Sequence, residues 1–174
     1  MVLDVGSLDV NGTLRPFVPP GMDYCGVDMA AGPNVSLVLD DPYRLPFGAE
    51  FDLVISTSCL EHDEFFWLTF AEMARVAKPG GFIYMSAPTG GVVHRHPVDC
   101  WRFYPDAGVA LARWADRSGW PVALVESFIL PPGAAGWSDF VAVWEREPAE
   151  ARRGPLIAER FPQAMHRRGC GVGR

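Results

Sequence analysis

The sequence is poor in the features that would place it in a membrane, outside the cell or on nucleic acid. No apolar run reaches the ~18 residues that a membrane-spanning helix needs. The first residues, MVLDVGSLDV, hold no basic lead-in and no signal-peptide pattern. Cysteine is sparse: Cys25, Cys59, Cys100 and Cys170 lie far apart, with no C-x-x-C and no zinc spacing. That usage implies reduced thiols in a cytoplasmic protein and no cysteine-built metal site. There is no G-x-G-x-x-G turn, which counts against a dinucleotide-dependent enzyme. There is also no internal repeat and no linker long enough to mark a second domain. Cations are scarce over most of the chain: residues 1–144 hold 8 Lys/Arg against 17 Asp/Glu, a net of −9. An acidic body argues against nucleic acid as the main partner, because phosphate binding relies on clustered cations. Residues 145–174 reverse the balance, with 7 Arg against 4 Glu.

What is present is a chain of 174 residues, 49% apolar, enough for one domain with a real core. Short apolar runs predict strands at 2–5, 22–28, 35–39, 51–56 and 82–86, the last opened by a Pro79-Gly80-Gly81 turn. Phe66, Phe70, Met73 and Ala77 step by one helical turn and predict a helix between the fourth and fifth strands. Pro105 and Gly119 bracket a second helix. Residues 121–130 and 137–144 read as an antiparallel pair joined by PPGAAG. Strands alternating with helices give an α/β sheet that is parallel except at one edge, over residues 1–144. Residues 145–174 read as an arginine-rich extension, partly helical or flexible.

In such sheets ligands sit beyond the carboxyl ends of the strands, so the residues there carry the candidate chemistry. Gly6 permits a sharp turn and a close approach of ligand to backbone. Asp28 is placed to accept two ribose hydroxyls. Asp40-Asp41-Pro42-Tyr43 offers a carboxylate for an exocyclic amine, or simply a turn that Asp starts and Pro fixes.

VLDVGS, the Val27-Asp28 pair, DDPYRLPF, FDLVIS, CLEH and ARVAKPGG follow one another in this order. Together they resemble the class I S-adenosylmethionine-dependent methyltransferases, in the subgroup with an LPF and an RV-x-KPGG segment. The resemblance covers roughly residues 2–144, and its most specific part runs from LPF to KPGG. It implies a Rossmann-like, mostly parallel sheet with a reversed C-terminal strand, and S-adenosyl-L-methionine lying over the strand ends. It implies that Asp4, Gly6 and Ser7 hold the methionine end of that cofactor. Asp28, with Met29 beside it, takes the ribose, and Asp40 and Asp41 face the adenine amine. Ser56 and Cys59 line the methionine side, and Glu61-His62 lies near the transferred methyl. Against the usual pattern, the glycine turn is reduced to Leu8-Asp9-Val10-Asn11, and Pro42 lacks a backbone N–H. The first strand also begins almost at Met1, so the fold is expected to be short at its N-terminus, without the helices that usually precede that strand.

One stretch, HRHPVDCWRFYPD at 94–106, sits where these enzymes cover the acceptor. Its end, Tyr104-Pro105-Asp106, reads as a helix start, with Trp101 or Phe103 packed into the core. Its polar part admits two uses. His94, His96 and Asp99 form a His-x-His plus carboxylate set suited to a metal, with His62 a further ligand. The favoured use, with no metal, is acid–base work: His62, His94 or His96 as general base, Asp99 orienting one of them, and Tyr104 as a hydrogen-bonding alternative. Arg95 or Arg102 suits an anionic substrate, or a carboxylate of its own surface. The functional expectation is methyl transfer to oxygen or nitrogen of a small acceptor, saccharide or natural-product-like. The alternative is a non-catalytic accessory protein that dimerises through exposed apolar surface.

Overall fold

The computed structural model describes residues 1–10, 12–133, 136–148 and 154–169. Its strands are β1 (Val2–Val5), β2 (Tyr24–Asp28), β3 (Leu37–Val38), β4 (Phe51–Thr57), β5 (Ala77–Pro88), β6 (Val122–Leu130), β7 (Asp139–Arg146) and β8 (Met165–Gly169). Two helices, α1 (Phe66–Val76) and α2 (Pro105–Arg117), complete it with short 3₁₀ turns at Arg15–Phe17 and Ile157–Arg160. The strands form one sheet in the order β3-β2-β1-β4-β5-β7-β6-β8. From β3 through β5 neighbours are parallel, while β5–β7, β6–β7 and β6–β8 are antiparallel. From β1 the chain winds outward through β2 and β3, then returns to place β4 on the other side of β1. The strand order therefore reverses between β1 and β4, where such sheets open a ligand crevice.

Burial explains why these runs became strands. All four residues of β1 are buried, as a central strand covered on both faces requires. Helix α1 turns Phe70, Met73, Ala74 and Val76 onto the sheet, each 0% exposed. Phe70 meets the fully buried Trp144 at 4.7 Å between ring centroids, and the Trp144 indole N–H donates to Gly108 O of α2. Truncating an aromatic here costs about 3–5 kcal/mol. Pro105 opens α2 as expected, and Leu111 and Ala115 face inward.

The sheet is parallel except toward one edge, as expected, with the reversed β7 lying between β5 and β6 and Phe140, Ala142 and Trp144 fully buried. The structure departs from the sequence reading in three places. The Pro79-Gly80-Gly81 turn is a bulge inside β5. Ala77 already pairs with Phe51, regular pairing resumes at Leu53–Phe82, and a Cβ on Gly81 would stand 3.0 Å from Phe51 O. The third strand shrinks to two residues with exposed side chains, at the sheet's β3 edge. The segment beyond residue 144 continues β7 to Arg146 and then adds β8. Buried Glu126 of β6 anchors that addition by accepting the N–H groups of Ile157 (2.6 Å) and Ala158 (3.1 Å). A lone carboxylate on an apolar strand leaves no periodic signal, so the anchor was invisible in sequence.

Cys25, Cys59 and Cys100 are free thiols, and Cys170 lies outside the described residues, as does Asn11 of the reduced glycine turn. Among the described residues, no helix is long and apolar enough to cross a membrane.

Candidate active site

The loops leaving β1, β2 and β3 form one rim of the crevice. Gly6 adopts φ +77°, and the N–H groups of Gly6 and Ser7 both donate to Val27 O at the end of β2. A Cβ at Gly6 would lie 2.2 Å from Cys59 Sγ, so the turn is packed directly on Cys59. Burial pushes the Cys59 thiol well up, so it is a neutral packing group there. Asp28 accepts the Leu8 N–H at 3.0 Å and the Ala30 N–H at 3.2 Å, which leaves its carboxylate half-buried with lone pairs to spare. Met29 beside it is exposed. The loop is stitched from behind by Asn34, whose amide donates to Ser7 O and to the Tyr24 hydroxyl. Tyr24 in turn donates to Asp4 Oδ2 at 2.6 Å.

The buried polar atoms that lack a partner among the described residues include Asp4 Oδ1 and Ser56 Oγ. They stand on the adjacent central strands β1 and β4, where Asp4 pairs with Ile55, next to Ser56. Desolvation pushes the Asp4 carboxyl up, and the nearby Asp28 charge adds to this. Unpaired buried polar atoms are costly unless a ligand completes them, so these groups fit a polar cofactor. Asp40 and Asp41 are exposed, and Asp41 Oδ1 accepts the Tyr43 N–H at 2.9 Å, the turn alternative for this residue.

The LPF and RV-x-KPGG segments prove to be one device. Arg75 of α1 donates to Leu45 O (2.7 Å) and Phe47 O (2.8 Å), while Glu72 accepts the Leu45 N–H (2.7 Å) and pairs with Arg75. The helix thus latches the loop that follows β3. At its far end, Arg146 donates to Arg75 O and Ala77 O, carbonyls that a helix end would otherwise leave open.

The second rim follows β4 and β5. Glu61 and His62 lie just past β4, and residues 89–104 return over them. The Cys100 and Trp101 N–H groups both donate to Glu61 O, at 2.8 and 3.1 Å. His62 Nδ1 lies 2.6 Å from Val98 O, and since a carbonyl only accepts, Nδ1 carries the proton. Asp99 accepts the His94 N–H at 2.8 Å and is gripped at both oxygens by Arg102, which holds its carboxyl well below the usual range. The three imidazoles converge: His62–His94 4.9 Å, His62–His96 5.8 Å and His94–His96 6.2 Å between ring centroids. Trp137 closes on His94 at 4.9 Å.

The fold therefore brings together His62, His94 and His96, with Asp99 positioning His94. Tyr104 is not part of the group: it is 60% exposed at the start of α2, where the extended backbone preceding Pro105 turns it outward. Arg102 is spent on Asp99, and Arg95 is exposed. Phe103 enters the core and stacks on Phe140, whereas Trp101 stays at the surface with its indole N–H on Asp63 O. The resemblance sets Glu61 beside His62 near the transferred methyl but gives it no role of its own; it is 1% exposed with Oε2 unpartnered among the described residues. Desolvation pushes its carboxyl up to about 7. The CLEH motif contained it, but only the fold buries it under the histidines.

Residues 3–85 match a family model described as a methyltransferase domain. Among solved structures, the chain is similar to the Burkholderia thailandensis 1,6-didemethyltoxoflavin-N1-methyltransferase, determined with S-adenosylhomocysteine, at 21% identity and a TM-score of 0.65 over 83% of this chain and 70% of that one. It is similar to a Methanosarcina mazei SAM-dependent methyltransferase at 14% identity and TM-score 0.62, covering 84% and 92%. A 16S rRNA (adenine(1408)-N(1))-methyltransferase from Catenulisporales acidiphilia shares 18% identity at TM-score 0.59, covering 86% of each. No curated protein sequence matches significantly.

Proposed function

We propose that the chain is a class I S-adenosylmethionine-dependent methyltransferase, a reading supported by the methyltransferase-domain match over residues 3–85 and the shared fold, and that it methylates an oxygen or nitrogen of a small acceptor molecule presented to the histidine cluster. The observation that carries this reading is the convergence of His62, His94 and His96 within 6.2 Å, past the carboxyl ends of β4 and β5. The acidic balance of residues 1–144 favours a small acceptor over RNA, although the fold itself is shared with an rRNA enzyme.

When bound, S-adenosylmethionine supplies a methyl group on a positively charged sulfur. Asp4, Gly6, Ser7 and Ser56 are the groups suited to its amino-acid end, Asp28 to its ribose, and the latched loop after β3 to its adenine. Transfer needs alignment above all, which the rigid β1 turn and the Arg102–Asp99 clamp provide. The acceptor's proton needs a base. His96 is assigned that role, because it is exposed and its imidazole enters none of the hydrogen bonds that tie His62 and His94.

The test is calorimetric titration with S-adenosylhomocysteine, wild type beside Asp28→Ala, followed by a screen of hydroxyl and amine acceptors. Micromolar binding lost in Asp28→Ala, with turnover that falls in His96→Asn at unchanged cofactor affinity, supports the reading. Absence of binding at millimolar ligand overturns it and favours the accessory protein.

A further inference from the structure

We infer that Glu61, His62 and His94 form a binding site for a zinc-type divalent cation. One carboxylate oxygen of Glu61 and one ring nitrogen from each histidine lie within 4.8 Å of one another. Glu61 Oε1 stands 3.7 Å from His62 Nε2. Ligands at roughly 2.1 Å around a tetrahedral ion are about 3.4 Å apart, so a small closure of side chains suffices.

Three further observations favour an ion over a bare hydrogen-bonded cluster. Glu61 is almost fully buried and its Oε2 has no partner among the described residues, a cost that a cation removes. The nearest permanent cation, Arg102, already has Nη1 and Nη2 on Asp99. His62 donates Nδ1–H to Val98 O, the outer contact that metal-bound imidazoles commonly make, and this leaves Nε2 toward Glu61. His94 is anchored through its backbone N–H on Asp99, and its ring Nδ1 stands 3.5 Å from Asp99 Oδ2. The carboxylate expected in the sequence, Asp99, is thus a support, and Glu61 takes the ligand position.

Two imidazoles and one carboxylate suit zinc, cobalt(II) or iron(II) rather than the all-oxygen preference of magnesium and calcium. Three protein ligands leave a position open. On the methyltransferase reading, a cation held there would polarise the acceptor's hydroxyl, and His96 would take its proton.

The experiment uses the full chain, stripped with a chelator and titrated with cobalt(II) chloride under visible absorption, then with zinc chloride. One equivalent of cobalt giving ligand-field bands that zinc abolishes is expected. His62→Ala and His94→Ala, and the milder His62→Gln, should each weaken binding more than about tenfold, with circular dichroism unchanged. No stoichiometric binding overturns the site, and so does binding that persists in the His62→Ala/His94→Ala double variant. S-adenosylhomocysteine titrated in parallel separates this result from the methyltransferase reading, because neither measurement depends on the other.

Discussion

The two rims of the crevice are built on opposite plans. On the β1–β2–β3 side, position is set mainly through backbone N–H groups: those of Gly6 and Ser7 donate to Val27 O and that of Leu8 to the Asp28 carboxylate, while the Asn34 side chain closes the loop behind them. On the β4–β5 side, position is set by side chains, because residues 89–104 have no regular secondary structure and are held by Asp99–Arg102, His62–Val98 and the Trp101 indole. A cofactor of fixed shape suits the first plan. On the proposed reading, the second would let the acceptor be respecified by changing a few side chains while the frame stays put.

Breaking the backbone rim should have the largest effect. Gly6→Ala adds a Cβ 2.2 Å from Cys59 Sγ at a residue with φ +77°. It should lose about 2–4 kcal/mol in urea denaturation and all S-adenosylhomocysteine binding. An intact midpoint would mean that Cys59 has room to retreat.

Asp99→Asn attacks the other rim alone. Freed from Arg102, the 94–99 segment should misplace its histidines, lowering kcat/KM for the acceptor by about tenfold or more while cofactor affinity holds. A parallel loss of cofactor affinity would show that the rims are not independent.

The smallest effect should come from Asp4→Asn, which separates stability from binding. Burial raises the folded pKa of Asp4 above its ordinary 3.8, so the folded chain holds the proton more tightly than the unfolded one. Stability from this group is therefore present below pH 3.8 and lost as pH rises through the raised value. The variant should raise Tm modestly at pH 7, not at pH 3, and weaken cofactor binding. A lower Tm at pH 7 would mean that the Tyr24 hydrogen bond outweighs the desolvation.

Much of the backbone rim was legible. VLDVG gives a buried strand and a glycine turn by periodicity alone, and the acid ending β2 needed no partner to be noticed. The latch between LPF and RV-x-KPGG was visible as two motifs but not as one contact, because Leu45 and Arg75 are 30 residues apart. The histidine rim was legible only as a list of residues. Spacing in HRHPVD suggested His94, His96 and Asp99 as partners; the fold keeps Asp99 on the His94 N–H but also clamps it with Arg102, and it sets Glu61 beside the imidazoles.

By itself the sequence determined most of the strands, the two helices and the glycine turn after β1. Those depend on local periodicity and on glycine's access to positive φ, which neighbouring residues encode. Only the tertiary structure decided that β7 lies inside the sheet, that β8 closes its edge, and which carboxylate faces the histidines. Each of these depends on burial and on partners distant in the chain, and such contacts leave no period in the sequence.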